Sequence, residues 1–297
     1  MVDFEPRELS FEQIETMHRL ARQVVNQFEL HRSVVQRDAA LRDLEAARAT
    51  LEEQKARSDR LLLNILPEAI AEELKDNNRV VPRYYDMATI LFTDFAGFTK
   101  LAENMPPKAL VDQLDQYFSA FDEIAERHRL EMLKTIGDSY MCVGGVPDTN
   151  RSHVVDSCLA ALEMQAYMAN ANQQREKLRL PPWQLRIGLH AGPVMAGVVG
   201  RRKFSFDVWG DAVNVAARMV SSGEAGRINV SDSVFNRLKD LFDFEHRGSI
   251  EVKSKGGLDM LFVTGIKPAL SADGGQTPND AFHREAERLI AGYVAAA

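Results

Sequence analysis

The sequence predicts an α+β fold, a β-α-β-β-α-β sheet with extra strands and helices, preceded by a long N-terminal helix. Three observations predict it. No glycine occurs from Met1 to Ala96 and no proline between Pro6 and Pro67, so nothing in that stretch breaks a helix. Ala88–Phe92 is apolar or β-branched and too short for a helix, so it reads as a buried strand ending beside Asp94. Leu133–Met141 holds two strand-like runs around Gly137-Asp138, the signature of a hairpin turn.

Ser10 with Gln13 fits a capping box that opens the first helix. Phe11, Ile14, Met17/His18, Ala21, Val24/Val25 and Phe28 recur at helical spacing. Leu41, Leu44, Leu51, Leu62 and Ile65 continue at heptad spacing, with Arg48, Lys55 and Ser58 in the seam. Arg37 to Arg60 interleaves six basic with six acidic residues, which reads as a solvated coiled-coil face rather than a basic arm. The rod is either a spacer or a parallel dimer helix carrying a signal. Pro67 stops or restarts the helix; Ala69–Lys75 is a short helix and Asp76–Asn78 a turn.

Downstream, strand Ala88–Phe92 precedes a helix from about Pro107 to His128, then strands Glu131–Ile136 and Ser139–Val143. A helix over Ser152–Lys177 and a strand over Trp183–His190 complete the β-α-β-β-α-β order, a ferredoxin-like sheet with helices on one face. Further strands are expected at Pro193–Val199, Phe204–Val208, Arg227–Val230, Phe242–His246, Ile250–Val252 and Met260–Ile266, and further helices at Asp211–Ser222 and Ser231–Lys239. Pro268–Asn279 reads as loop and Asp280–Ala297 as an amphipathic helix.

The 297 residues carry 45% hydrophobic and 27% charged side chains and a net charge of -7, ordinary for a soluble globular protein and contrary to nucleic-acid binding. Two cysteines, Cys142 and Cys158, make no disulfide framework and suit a reducing cytoplasm. No run approaches the ~20 apolar residues of a membrane span, and the N-terminus has no signal-peptide core.

Asp94 and Asp138 each stand at a strand end. If their strands are neighbours, the carboxylates converge on a pair of divalent cations, while the small-residue turn after Asp94 offers N–H groups to a phosphate. Either aspartate alone could simply cap a turn.

Taken together, FTDFAGFT, KTIGDSYM, FDVWGDAVNVAARM and VKSKGG, in that order, resemble a class III nucleotidyl cyclase catalytic domain over about Ala88–Lys267. The resemblance implies the class III cyclase fold, ATP as substrate, and two Mg²⁺ or Mn²⁺ per active site on Asp94 and Asp138. It implies that Phe95, Ala96, Gly97, Phe98 and Thr99 line the substrate, and that Lys134 and Asp207 read the purine. Guanylyl members of the family carry a glutamate at the first of these positions and usually a cysteine at the second. Asn214 and Arg218, four apart on one helix face, match the ribose-orienting asparagine and the transition-state arginine. Arg202 and Lys253 match residues gripping the terminal phosphates, with Lys255 competing for the second role. The family's site lies between two chains, so the resemblance implies a head-to-tail homodimer with a parallel N-terminal coiled coil. The competing structural readings are a salt bridge for Lys134–Asp207, local helix pairs for Asn214 and Arg218, and a solvated basic loop for Arg202 and Lys253. His190 is expected to be structural, Trp209 to pack or line the base pocket, and Cys142 to be core.

The stretch Met17–Leu30 is similar to the last helix of GAF sensor domains, which implies a chain that begins after most of a sensor. The expected organisation is 1–36, a helix left from that sensor; 37–80, a coiled-coil transducing segment; 81–267, the catalytic domain; and 268–297, a tail with a short helix. The rival readings are a non-catalytic dimerising nucleotide sensor and a polymerase-type palm, which shares the βαββαβ order and two carboxylates.

Overall fold

The structure, a computed structural model, describes residues 9–200, 203–252 and 256–295. The chain divides into two units, Met1–Asn64 and Ile65–Ala297.

The first unit is α1 (Phe11–Leu63), one uninterrupted helix of 53 residues. The capping box forms: Gln13 N–H donates to Ser10 Oγ (3.3 Å) and Ser10 N–H to Gln13 Oε1 (3.0 Å). The helix runs straight through residue 36, where the sequence suggested a change of segment. None of its residues is buried; Phe11 is 83% exposed. Two sets of its apolar residues line up as stripes. Phe11, Ile14, Ala21, Val25, Phe28 and Val35 make the first; Leu30, Val34, Leu41, Leu44, Leu51 and Leu62 make the second. The stripes differ in phase by two residues, about 200° around the axis.

In the second unit, α2 (Glu68–Asn77) starts after Pro67 and ends on Asn78, which takes the left-handed conformation (φ 53°) and donates its N–H to Leu74. Glu73 then fastens the next strand: it accepts from Val81 N–H (2.9 Å) and pairs with Arg83. After α2 come β1 (Arg83–Ala96), α3 (Phe98–Glu103), α4 (Pro107–Arg127), β2 (Leu130–Ile136), β3 (Ser139–Gly144), α5 (His153–Lys177), β4 (Gln184–Val199), β5 (Ser205–Trp209), α6 (Asp211–Ser221), β6 (Ile228–Ser231), α7 (Asp232–Leu238), β7 (Phe242–Val252), β8 (Gly256–Ile266) and α8 (Asp280–Ala295). The sheet order is β2-β3-β1-β4-β6-β8-β7, with β5 paired to β4. All pairs are antiparallel except β4–β6.

Alternation along the strands sends Leu91, Phe95, Tyr140, Cys142, Ile187 and Leu189 to one face. There they join Tyr117 and Phe121 of α4 and Cys158 and Met164 of α5 in the main core. Trp183 sits at its centre, edge-on to Phe95 (centroids 5.0 Å) and Tyr117 (5.4 Å). The opposite face is not bare. Gly188 points there, and a Cβ on it would fall 2.2 Å from the Val220 nitrogen. So α6 lies against β4 at backbone distance, and only glycine fits beneath it.

Two expected strand breaks do not occur. Gly192-Pro193 suggested separate strands, yet β4 is continuous. The β1–β4 register jumps from Tyr85↔Val194 to Ala88↔Gly192, so Pro193 falls at a bulge where its missing N–H costs no ladder bond. Likewise β7 is one strand, its register shifting between His246 and Gly248, where Gly248 has φ 119°. The expected turn Asp76–Asn78 shrinks to the left-handed Asn78. The 268–279 stretch holds a 3₁₀ turn (Pro268–Leu270) and a Ser271–Pro278 bridge. α8 docks through Phe282, buried against Phe242 (centroids 5.5 Å).

Candidate active site

β1 carries Asp94 between β3 and β4, and the β2–β3 turn carries Asp138. Gly137 takes φ 64°, the left-handed conformation that a tight hairpin turn asks of that position. The turn folds back far enough for Phe95 N–H to donate to Asp138 Oδ2 (3.3 Å). The two carboxylates are direct neighbours: burial, then the hydrogen bond and charge of Asp94, push Asp138 up to about 6. Two carboxylates crowded into a half-buried corner make a charge excess that a divalent cation relieves. The donor set therefore fits hard cations. Among the described residues no group of three or more His, Cys, Asp or Glu side chains could hold a metal.

One participant was not read from the sequence. Arg186 of β4 stands directly opposite Asp94 in the sheet register. Its Nε donates to Asp94 Oδ2 (2.8 Å) and its Nη2 to the same oxygen. Its Nη1 reaches the Ser221 carbonyl at the end of α6 (3.4 Å). The available signal was periodicity: in the strand run QLRIGLH the arginine alternates with residues of the core face, so it emerges where Asp94 does.

The turn after Asp94 serves two ends. The Phe95 ring is core (1% exposed), and its N–H is committed to Asp138. Gly97 takes φ 73° as N-cap of α3 without a side-chain cap. The N–H groups of Phe98 and Thr99, in the first turn of α3, have no intrahelical acceptor.

Lys134 and Asp207 meet. Lys134 Nζ donates to Asp207 Oδ2, and Asp207 Oδ1 accepts from Val208 N–H (2.9 Å). Asp207 is the more enclosed, its side chain 16% exposed against 38% for Lys134. Beside it Trp209 is half exposed, opposite Met195 in register. Asn214 and Arg218 project from α6, Asn214 into solvent and Arg218 partly covered. Neither side chain is hydrogen-bonded among the described residues. No hydrogen bond or ion pair among those residues joins Lys134, Asp207, Asn214 or Arg218 to Asp94 or Asp138. The structure thus brings Lys134 to Asp207, and Asp138 to the strand end that carries Asp94, while Asn214 and Arg218 stand on α6. Arg202 and Lys253 lie outside the described residues.

His190 is buried, its Nδ1 2.7 Å from Ser231 Oγ. Cys142 and Cys158 are fully buried free thiols, both pushed up by burial.

Residues 80–265 match the family described as the adenylate and guanylate cyclase catalytic domain. The chain belongs to that family. An adenylate cyclase from Mycobacterium tuberculosis is 47% identical over 238 residues, 80% of this chain and 52% of the relative. Human guanylyl cyclase C is 36% identical over 218 residues, 72% of this chain and 20% of the relative. The cyclase chain thus spans about half the length of its mycobacterial relative. A crystal structure of the adenylyl cyclase CyaB from P. aeruginosa superposes with a TM-score of 0.59 at 27% identity, covering 62% of this chain and 96% of that one. The catalytic core of a rhodopsin-guanylyl cyclase with converted specificity, in complex with ATPαS, gives 0.57 at 32% identity, covering 62% and 97%. The class III cyclase fold read from the four motifs is the fold of this chain.

Proposed function

We propose that the cyclase is specific for ATP, converting it to 3′,5′-cyclic AMP and pyrophosphate at sites shared between two copies of the chain. The observation that carries the specificity is the Lys134–Asp207 pair. Adenine presents N1 as acceptor and its 6-amino group as donor, which suits an ammonium beside a carboxylate. Guanine presents the reverse, O6 accepting and N1–H donating. The pair holds its two charges together until a purine enters between them.

Asp94 and Asp138 would hold two Mg²⁺ or Mn²⁺, which supply charge neutralisation to the attacking 3′-hydroxyl and the leaving pyrophosphate. In a head-to-tail homodimer, one copy gives Asp94, Asp138 and Arg202 and the other Lys134, Asp207, Asn214, Arg218 and Lys253. The match to the cyclase family over residues 80–265 supports this arrangement. Asn214 orients the ribose, and the Arg218 guanidinium, permanently charged, meets the developing charge on the phosphoryl oxygens. Phe98 and Thr99 N–H groups cradle a phosphate. By their motif match, Arg202 and Lys253 grip the terminal phosphates.

The segment 37–80 transmits dimer geometry to the catalytic domain 81–267, with the stretch before it similar to a sensor-domain helix and 268–297 a tail. No described helix is long and apolar enough to cross a membrane, and the buried thiols suit the cytoplasm.

Incubation with ATP and Mn²⁺ tests the reading: cyclic AMP should form, and Asp94→Asn or Asp138→Asn should lower the rate at least ~10²-fold. A folded chain that binds ATP but makes no cyclic AMP would point to the nucleotide-sensor reading instead. Near-normal turnover in either variant at saturating metal would sink the two-metal assignment.

A further inference from the structure

We propose that Arg186 is an internal counter-cation that keeps the Asp94 half of the metal site closed until a divalent ion displaces it. The inference rests on the two-aspartate reading above. Two guanidinium nitrogens, Nε (2.8 Å) and Nη2, converge on one oxygen of Asp94. The contact is largely shielded from water, with the Arg186 and Asp94 side chains 27% and 17% exposed. It is also prealigned, because the residues are cross-strand partners in β1 and β4. A third nitrogen, Nη1, leans on the Ser221 carbonyl (3.4 Å), so the planar head is held from α6 as well.

A hard cation binds Asp94 through the same carboxylate oxygens, and its double charge repels a guanidinium a few ångströms away. Ion and ion pair therefore exclude one another at Oδ2. With two side-chain carboxylates in the corner and no third acidic, His or Cys ligand among the described residues, a bare metal ion gains few ligands for breaking a shielded two-donor contact. An ion arriving with phosphate oxygens already attached loses less hydration and brings its own ligands. The site is thereby biased against free metal and towards metal delivered with nucleotide.

The test uses the full chain without nucleotide and Mn²⁺ alone as probe, free Mn²⁺ being read by electron paramagnetic resonance. Arg186→Met should bind Mn²⁺ at least ~10-fold more tightly than the parent, since a repelling charge is gone. Adding Asp94→Asn should abolish that gain. Equal or weaker binding by folded Arg186→Met, in a chain whose parent binding is lost with Asp94→Asn, overturns the proposal alone. A gain that survives Asp94→Asn overturns it together with the placement of metal at Asp94. A second measurement needs no variant. The Arg186 Nε–H resonance of the parent should move as Mg²⁺ is titrated to saturation, and a resonance that stays in place overturns the proposal.

Discussion

Lys134 and Asp207 are proposed to carry the choice of base, and their exchange is the sharpest test at the residue scale. Lys134→Glu gives guanine N1–H an acceptor and takes a donor from adenine N1; Asp207→Cys removes the acceptor for the adenine amino group. Either change alone leaves a polar group mismatched with both purines, a penalty of about 1–3 kcal/mol. Each single variant should lose ATP turnover without gaining GTP turnover, and the double variant should shift the ratio of kcat/KM towards GTP. An unchanged ratio in the double variant removes the case for ATP. Glu131 gives a second test, of stability. Burial first, then the charge of Asp148, push its carboxyl up to about 7 from 4.5. Below pH 4.5 the group is protonated folded and unfolded alike. Between 4.5 and 7 only the folded chain holds the proton, so stability falls as pH rises through that window. Glu131→Gln should therefore match the parent near pH 4.5 and exceed it near pH 7 by on the order of 1 kcal/mol, after allowing for solvent screening. Denaturant midpoints across that range measure it.

At the scale of elements, Gly188 is where the sheet and α6 meet. A methyl there falls within 2.7 Å of three Val220 and Met219 backbone atoms, which cannot rotate away. Gly188→Ala should destabilise by about 3 kcal/mol, visible as a lower denaturant midpoint at unchanged slope. An unchanged midpoint would mean α6 is free to lift. The rod gives the other element-scale test. One residue inserted near Ala56 rotates the downstream chain by about 100°, whereas seven restore the seam phase. If α1 transmits a signal, the first insertion alters cyclase activity and the second restores it; equal activity in both would make the rod a spacer. The order of the longer elements was legible, because apolar runs, the Gly137 turn and the Ser10 cap are local signals; α3 and the two ends of β1 were not read. Other misses were non-local. Pro193 looks like a break until the bulge in β1, far upstream in the chain, is seen opposite it. Arg186 looks like one more strand arginine until Asp94, 92 residues away in sequence, becomes its cross-strand neighbour. Even α6 on the second face rests on Gly188, whose purpose is invisible without its neighbour. The roles given to Asn214 and Arg218 rest on motif order alone, since nothing in their own spacing distinguishes a ligand-facing helix from a solvated one.

For the whole molecule, the proposed sharing of sites between two chains predicts complementation. Asp94→Ala spoils one half-site and Arg218→Ala the other, so each variant alone should be inactive. A heterodimer of the two rebuilds one intact site from its unspoiled halves, and mixing should return part of the parent rate. No recovery on mixing, with heterodimers shown to form, would argue against sites shared between chains.

The uninterrupted β4 has a mechanical consequence for such a dimer. Arg186 lies near its start, beside the aspartate pair, and Gly197 lies near its end, opposite Asp207 in register. Roughly 35 Å of strand contour separates them. In the proposed dimer the same strand would carry the metal corner of one active site and the base-reading corner of the other. A hydrogen-bonded strand does not lengthen for one site and shorten for the next. In the proposed dimer, a shift of the chains at one end of β4 would therefore be felt at the other. The two sites of a dimer should then open and close as one gear train, and a signal that turns the chains against each other would set both clearances in a single stroke.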